Sequence, residues 1–256
     1  MRLSAIKRLH SNIEDTYFFL RLSLGIIAAL LPLILWLGGR IILNIPAQTS
    51  ISAYYHTDMR DFLVGALFAL GLALLIYKGF SFAEDWLLNI AGILIICVAF
   101  FPMNPASVLK CFPPCDAQCI SYSGILDRTA EGLIKAGIHG ICALIFFIAI
   151  GCVCIFCSRR TLHLIPEQRI RRTYRIIYQI LGAAMIIIPL LTASLLRLSP
   201  HSGIACEDRT IFWTETTGVW VFAVFWLLKT YEGHKYGADF KYRDRRSIPE
   251  ALARAV

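Results

Sequence analysis

Residues 136–156, AGIHGICALIFFIAIGCVCIF, run for 21 positions without an Asp, Glu, Lys or Arg and with a single His. A helix of that length is about 30 Å long, the thickness of the hydrocarbon core of a bilayer. Five more apolar runs flank it: Leu22–Leu37, Phe62–Tyr77, Trp86–Phe101, Ile176–Leu196 and Phe212–Leu228. The shorter ones are completed by neighbouring Trp, Tyr and loop-end residues. With 57% hydrophobic residues, 16% charged residues and a mean hydropathy of +0.65, the 256-residue chain has too little polar surface for a water-soluble globule. The runs are too long and continuous for barrel strands, and backbone polar groups cannot stay unpaired in lipid, so they read as helices. The expected fold is all-α: a polytopic membrane protein with six transmembrane helices in one bundle.

The basic residues before the first run, Arg2, Lys7 and Arg8, resemble the start of a secretory signal. Asn12, Glu14 and Asp15 interrupt that pattern, and the exit Trp36-Leu37-Gly38-Gly39-Arg40 has no small-x-small cleavage site, so a retained first helix is expected. Placing the N-terminus inside puts 18 of the 25 Lys and Arg residues on the cytoplasmic side, whereas the carboxylates split 9 to 8. By the positive-inside rule both termini are then cytoplasmic. Residues 1–230 read as the six-helix transmembrane domain and 231–256 as a basic cytoplasmic tail. The +8 net charge reads as a topology signal and an attraction to membrane lipids, the expected partners; no nucleic-acid partner is expected. The expected location is a bacterial inner membrane. No internal repeat stands out along the sequence.

This topology puts Cys111, Cys115, Cys119 and Cys206 in outer loops, where an oxidising compartment would allow two disulfides in any of three connectivities. Cys154-x-x-Cys157 ends a span and reads as packing rather than redox chemistry.

Chemistry is expected where ionisable groups meet the outer face. The polar stretch Ser52–Asp61 leads into the second helix, and Asp127, Glu131, Lys135 and His139 recur every fourth residue on one face of the fourth. Glu215 opens the sixth helix. His56, Asp61, His139 and Glu215 thus lie at similar depth and form the candidate catalytic site. His56, His139 and Glu215 are the candidate ligands of a zinc ion. The same groups also read as structural: Asp61 and Glu215 at positive helix ends, His139 on a neighbouring carbonyl.

Ser52–Tyr77 (SAYYHTDMRDFLVGALFALGLALLIY), Ala91–Pro102 (AGILIICVAFFP) and Phe212–Lys229 (FWTETTGVWVFAVFWLLK) resemble an uncharacterised family of bacterial six-helix inner-membrane proteins, which implies fold and location but no activity. Ser52-x3-His56 followed by Asp61 is similar to the superfamily of alkaline ceramidases and adiponectin receptors, which implies zinc held among Ser, Asp and His. This chain has six helices where that superfamily has seven, and Glu215 where an H-x3-H pair is expected. Three functions therefore stand side by side, and whether the protein is an enzyme stays open. It is a structural or sensory membrane protein, a metal-dependent hydrolase of lipid amides or esters, or a small-solute or proton-coupled carrier.

Overall fold

The computed structural model describes residues 2–45, 47–103, 130–198 and 209–236, and among them the regular structure is entirely helical. The principal helices are α1 (Arg2–Leu33), α2 (Arg60–Ile76), α3 (Phe82–Phe100), α4 (Ala130–Cys152), α5 (Gln168–Leu198) and α6 (Thr210–Tyr236). Among the described residues, five stretches are long and apolar enough to cross a membrane: Asp15–Ile42, Phe82–Phe100, Gly137–Leu162, Gln168–Ser194 and Thr210–Tyr236. Two of these pass through a π-helical turn, Ile34–Gly38 after α1 and Val153–Cys157 after α4, before a last α-helical turn.

Sequence-neighbouring helices pack side by side, and α1 packs against α6, so the six helices close into a ring. Large side chains are buried inside it, among them Tyr77, Phe146, Tyr178, Phe222, Phe225 and Trp226. A second apolar cluster, Leu31, Leu35, Ile51, Tyr54, Met59, Leu63 and Phe212, supports the turn that precedes α2.

Two hairpins in the ring share one packing device. In α2–α3, a Cβ on Gly71 would stand 2.9 Å from the Gly92 carbonyl oxygen, and one on Gly92 would stand 2.8 Å from that of Gly71. In α4–α5, Gly151 and Gly182 face each other at the same 2.9 and 2.8 Å. Four residues after each glycine comes the branched side chain that fills the gap over its partner: Leu75, Ile96, Ile155 and Ile186. Small residues permit this close approach, which supplies the dispersion contact that holds helices together in lipid. The repeat escapes inspection of the linear sequence because each helix carries only two of its residues. It becomes visible when the helices pair.

The ends of α3 are set by local chemistry. Ser81 is its N-cap, with Oγ accepting the Glu84 N–H at 3.2 Å. The turn before it is tied by Gly79 N–H to Asp85 Oδ1 at 2.6 Å and by Phe80 N–H to Glu84 Oε2 at 2.9 Å. At the other end Pro102 disfavours a helical residue before it, and Phe101 is extended at φ −102° and ψ 101°. The last carbonyls of a helix have no partner within it. Those beyond α3 therefore stand ready to accept hydrogen bonds from elsewhere.

Candidate functional site

His139, on α4, takes up one of those carbonyls. Its Nδ1 lies 2.7 Å from the Phe101 carbonyl oxygen, and its Nε2 lies 3.1 Å from Ser52 Oγ. A carbonyl oxygen can only accept, so Nδ1 carries the proton of the neutral imidazole. Nε2 then presents a lone pair to the Ser52 hydroxyl. Ser52 opens the 3₁₀ turn Ser52–His56, whose first N–H groups have no partner inside the turn. Glu215, on α6, supplies one: its Oε2 accepts from Ile51 N–H at 2.7 Å and Ser52 N–H at 3.4 Å. Glu215 thereby fixes the backbone that carries the Ser52 hydroxyl.

The other candidates are placed differently. His56 is half-buried, and its Nε2 donates to the Met103 carbonyl at 3.0 Å. Burial lowers its pKa, and the nearby Arg60 charge adds to that, against the raising effect of the Met103 carbonyl. Asp61 stands exposed in the first turn of α2, where its charge meets the positive end of the helix. Asp127, the side chains of Glu131 and Lys135, and the disulfide candidates Cys111, Cys115, Cys119 and Cys206 lie outside the described residues.

Among the described residues, no three His, Cys, Asp or Glu side chains gather in a group that could hold a metal ion. His56 Nε2, His139 Nδ1 and Glu215 Oε2 are each engaged with backbone groups. Among the described residues, His56, His139 and Glu215 are thus not brought together as one group of three ligands.

Ser52, His139 and Glu215 border a cavity of about 400 Å³ in the middle of the ring. That is within the roughly 300–1,000 Å³ of small-molecule sites. Its walls are otherwise mostly apolar, among them Leu31, Leu67, Leu70, Ile95, Phe146 and Phe222. A second space of about 530 Å³ lies between α4, α5 and α6, next to Pro189 of α5. Gly140, Ala143, Phe147 and Glu215 line both spaces. The second is also lined by Ile141, which is 60% exposed, so it opens on the outside of the bundle. Nothing lies within 4 Å of where a Cβ on Gly140 would stand.

The opposite end of the ring holds a polar cluster that the sequence reading missed. The Lys229 ammonium donates to Thr161 Oγ1 at 2.6 Å and to Glu232 Oε2 at 3.1 Å. Thr161 Oγ1 donates to Glu232 Oε1 at 2.6 Å, and the Tyr178 hydroxyl donates to Glu232 Oε2. The ammonium also stands 5.4 Å from the centre of the Tyr178 ring. Lys229 is 3% exposed and Glu232 is 0%. Where the apolar run ends at Leu228 the residues that follow read as a tail, yet α6 continues to Tyr236. The spacing of Lys229 and Glu232, opposite charges three apart on a helix, was the available signal.

Comparison with family models, with curated proteins and with solved structures finds no match to this chain.

Proposed function

We propose that this chain is a six-span integral membrane protein that takes a lipid's apolar chain into its central cavity and holds the lipid's polar group at Ser52, His139 and Glu215. The observation that carries this is the adjacency of the two spaces: an apolar cavity with one polar end shares Gly140, Ala143, Phe147 and Glu215 with a crevice on the outside of the bundle. A lipid is the ligand class that reaches such a crevice from within the bilayer. Bound or absent, it would alter the packing of α4 against α6, which suits a sensory protein. The same site serves a lipid-directed enzyme.

The sixth span is α2, whose 17 residues are at the lower end of what crosses a bilayer. Its place in the ring between α1 and α3 supports counting it. Six spans put both termini on one side, and the excess of Lys and Arg favours the cytoplasmic side of a bacterial inner membrane. A fluorescent protein fused after Val256 is expected to fold and fluoresce in that compartment; a dark fusion on an exported terminus would reverse the orientation.

The binding reading is tested with a photoreactive, alkyne-tagged palmitic acid and the full-length protein in lipid nanodiscs. Labelling is expected on the cavity faces of α4 and α6, and Gly140→Trp is expected to remove it by filling the open space beside Gly140, which borders both cavities. Labelling spread over lipid-facing residues and unchanged by Gly140→Trp would overturn the reading.

A further inference from the structure

We infer that Ser52 is an acyl-accepting nucleophile and His139 its general base, acting on carboxylic esters whose acyl chain lies in the cavity. This rests on the lipid-binding reading above and adds chemistry to it. The arrangement that activates a hydroxyl is a base within hydrogen-bond reach, itself oriented by a third group. All three are present: Ser52 Oγ, His139 Nε2 at 3.1 Å, and the Phe101 carbonyl at 2.7 Å from Nδ1. In serine hydrolases the third group is a carboxylate whose main service is to hold the imidazole in the correct tautomer. A backbone carbonyl does the same, because it cannot donate. Pro102 breaks the helix where it leaves that carbonyl free, and Glu215 holds the backbone that carries the nucleophile.

The chemistry balances with water as the only co-reactant. Ser52 Oγ bonds to the ester carbonyl carbon while its proton passes to His139 Nε2, and the carbonyl electron pair moves to oxygen. Collapse breaks the carbon–alkoxy bond, and the leaving alcohol takes the proton from Nε2. Water then adds to the acyl carbon, giving its proton to Nε2. Release of Ser52 Oγ, which recovers that proton, frees the fatty acid. The Phe101 carbonyl carries a dipole in place of a full negative charge, so it stabilises the imidazolium less than a carboxylate does. That favours esters, whose alcohols leave readily, over amides.

The test is reaction of the full-length protein in nanodiscs with a hexadecyl fluorophosphonate, followed by peptide mass spectrometry. Phosphonylation of Ser52 is expected, with none at that position in Ser52→Ala. In His139→Gln the rate is expected to fall about a hundred-fold or more, the usual contribution of a positioned base. Should Ser52→Ala fail to yield folded protein, Ser52→Cys keeps the test open, because it should exchange fluorophosphonate reactivity for reaction with an alkyl maleimide. Labelling by the photoreactive palmitic acid without a Ser52 adduct would overturn the nucleophile and leave the binding reading standing. An adduct forming equally fast in His139→Gln would overturn the base. Failure of both probes to enter the cavity would overturn both readings together.

Discussion

The two ends of the ring satisfy their polar groups in opposite ways. At the Glu232 end, Lys229, Glu232, Thr161 and Tyr178 bond to one another, so each side chain is met mainly by other side chains. At the Ser52 end, His56, His139 and Glu215 bond mainly to backbone groups at the ends of helical segments. The second arrangement borders the apolar cavity. Closure among side chains makes a brace, whereas anchoring on the backbone aims a side chain and leaves its other edge available. A polar residue in a span is thus better judged by what its partners are than by its own type.

The largest expected effect lies at the closed end. Glu232→Leu leaves the Lys229 charge buried without its carboxylate and should cost about 3–5 kcal/mol, the usual penalty for breaking a buried pair. It is read as a lower unfolding temperature in detergent. Lys229→Met together with Glu232→Leu should recover most of that loss, and a double variant no better than the single would break the contrast between the ends.

Next come the glycines. Gly71→Ala and Gly151→Ala push a methyl group against a facing backbone and should cost about 1–3 kcal/mol, as overpacking does. Gly140→Ala, with open space at its Cβ, should stay within about 0.5 kcal/mol. A similar cost at all three positions would mean that the space beside Gly140 is packed.

Glu215→Gln keeps the shape of the acceptor but puts an amide NH2, which cannot accept, in place of one carboxyl oxygen. A hydrogen bond contributes about 0.5–1.5 kcal/mol net, so a loss of about 1 kcal/mol is expected from weakening the bond to Ile51 N–H. Reactivity at Ser52 should fall with it if Glu215 positions the turn.

The smallest effect is the pH dependence due to His56. Its pKa is lowered in the folded protein, so on acidification the unfolded chain takes up a proton before the folded one does. Stability should therefore be full above the ordinary imidazole pKa, fall as pH drops from there to the lowered value, and level off below it. Denaturation of wild type and His56→Gln across that interval measures it, and parallel curves would show that His56 contributes no slope.

Helical class and most span positions were legible because each depends on one run of residues, as in Ala136–Phe156. The candidate site was legible in part. His139 and Glu215 were visible as ionisable groups at the edges of apolar runs. In the sequence Ser52 stands beside His56, four residues away, although its hydroxyl meets His139, 87 residues away. That pairing depends on where Pro102 ends α3 and on how α4 sits against it, neither of which a single segment encodes. The Lys229 cluster stayed hidden for a related reason. A lysine after an apolar run reads as the membrane boundary unless Thr161 and Tyr178 are known to be beside it.

The contact between α1 and α6 carries a consequence for biogenesis. Glu215 completes one polar cluster, while Lys229 and Glu232 complete the other, and all three belong to α6, the last of the described helices in chain order. Until that segment is made, the Ile51 N–H, the Thr161 hydroxyl and the Tyr178 hydroxyl lack the carboxylates they will bond. The five helices before it form an open horseshoe with polar groups at both rims, and α6 closes it. A chain stalled before α6 leaves those groups unpaired, which is the form that quality control can recognise.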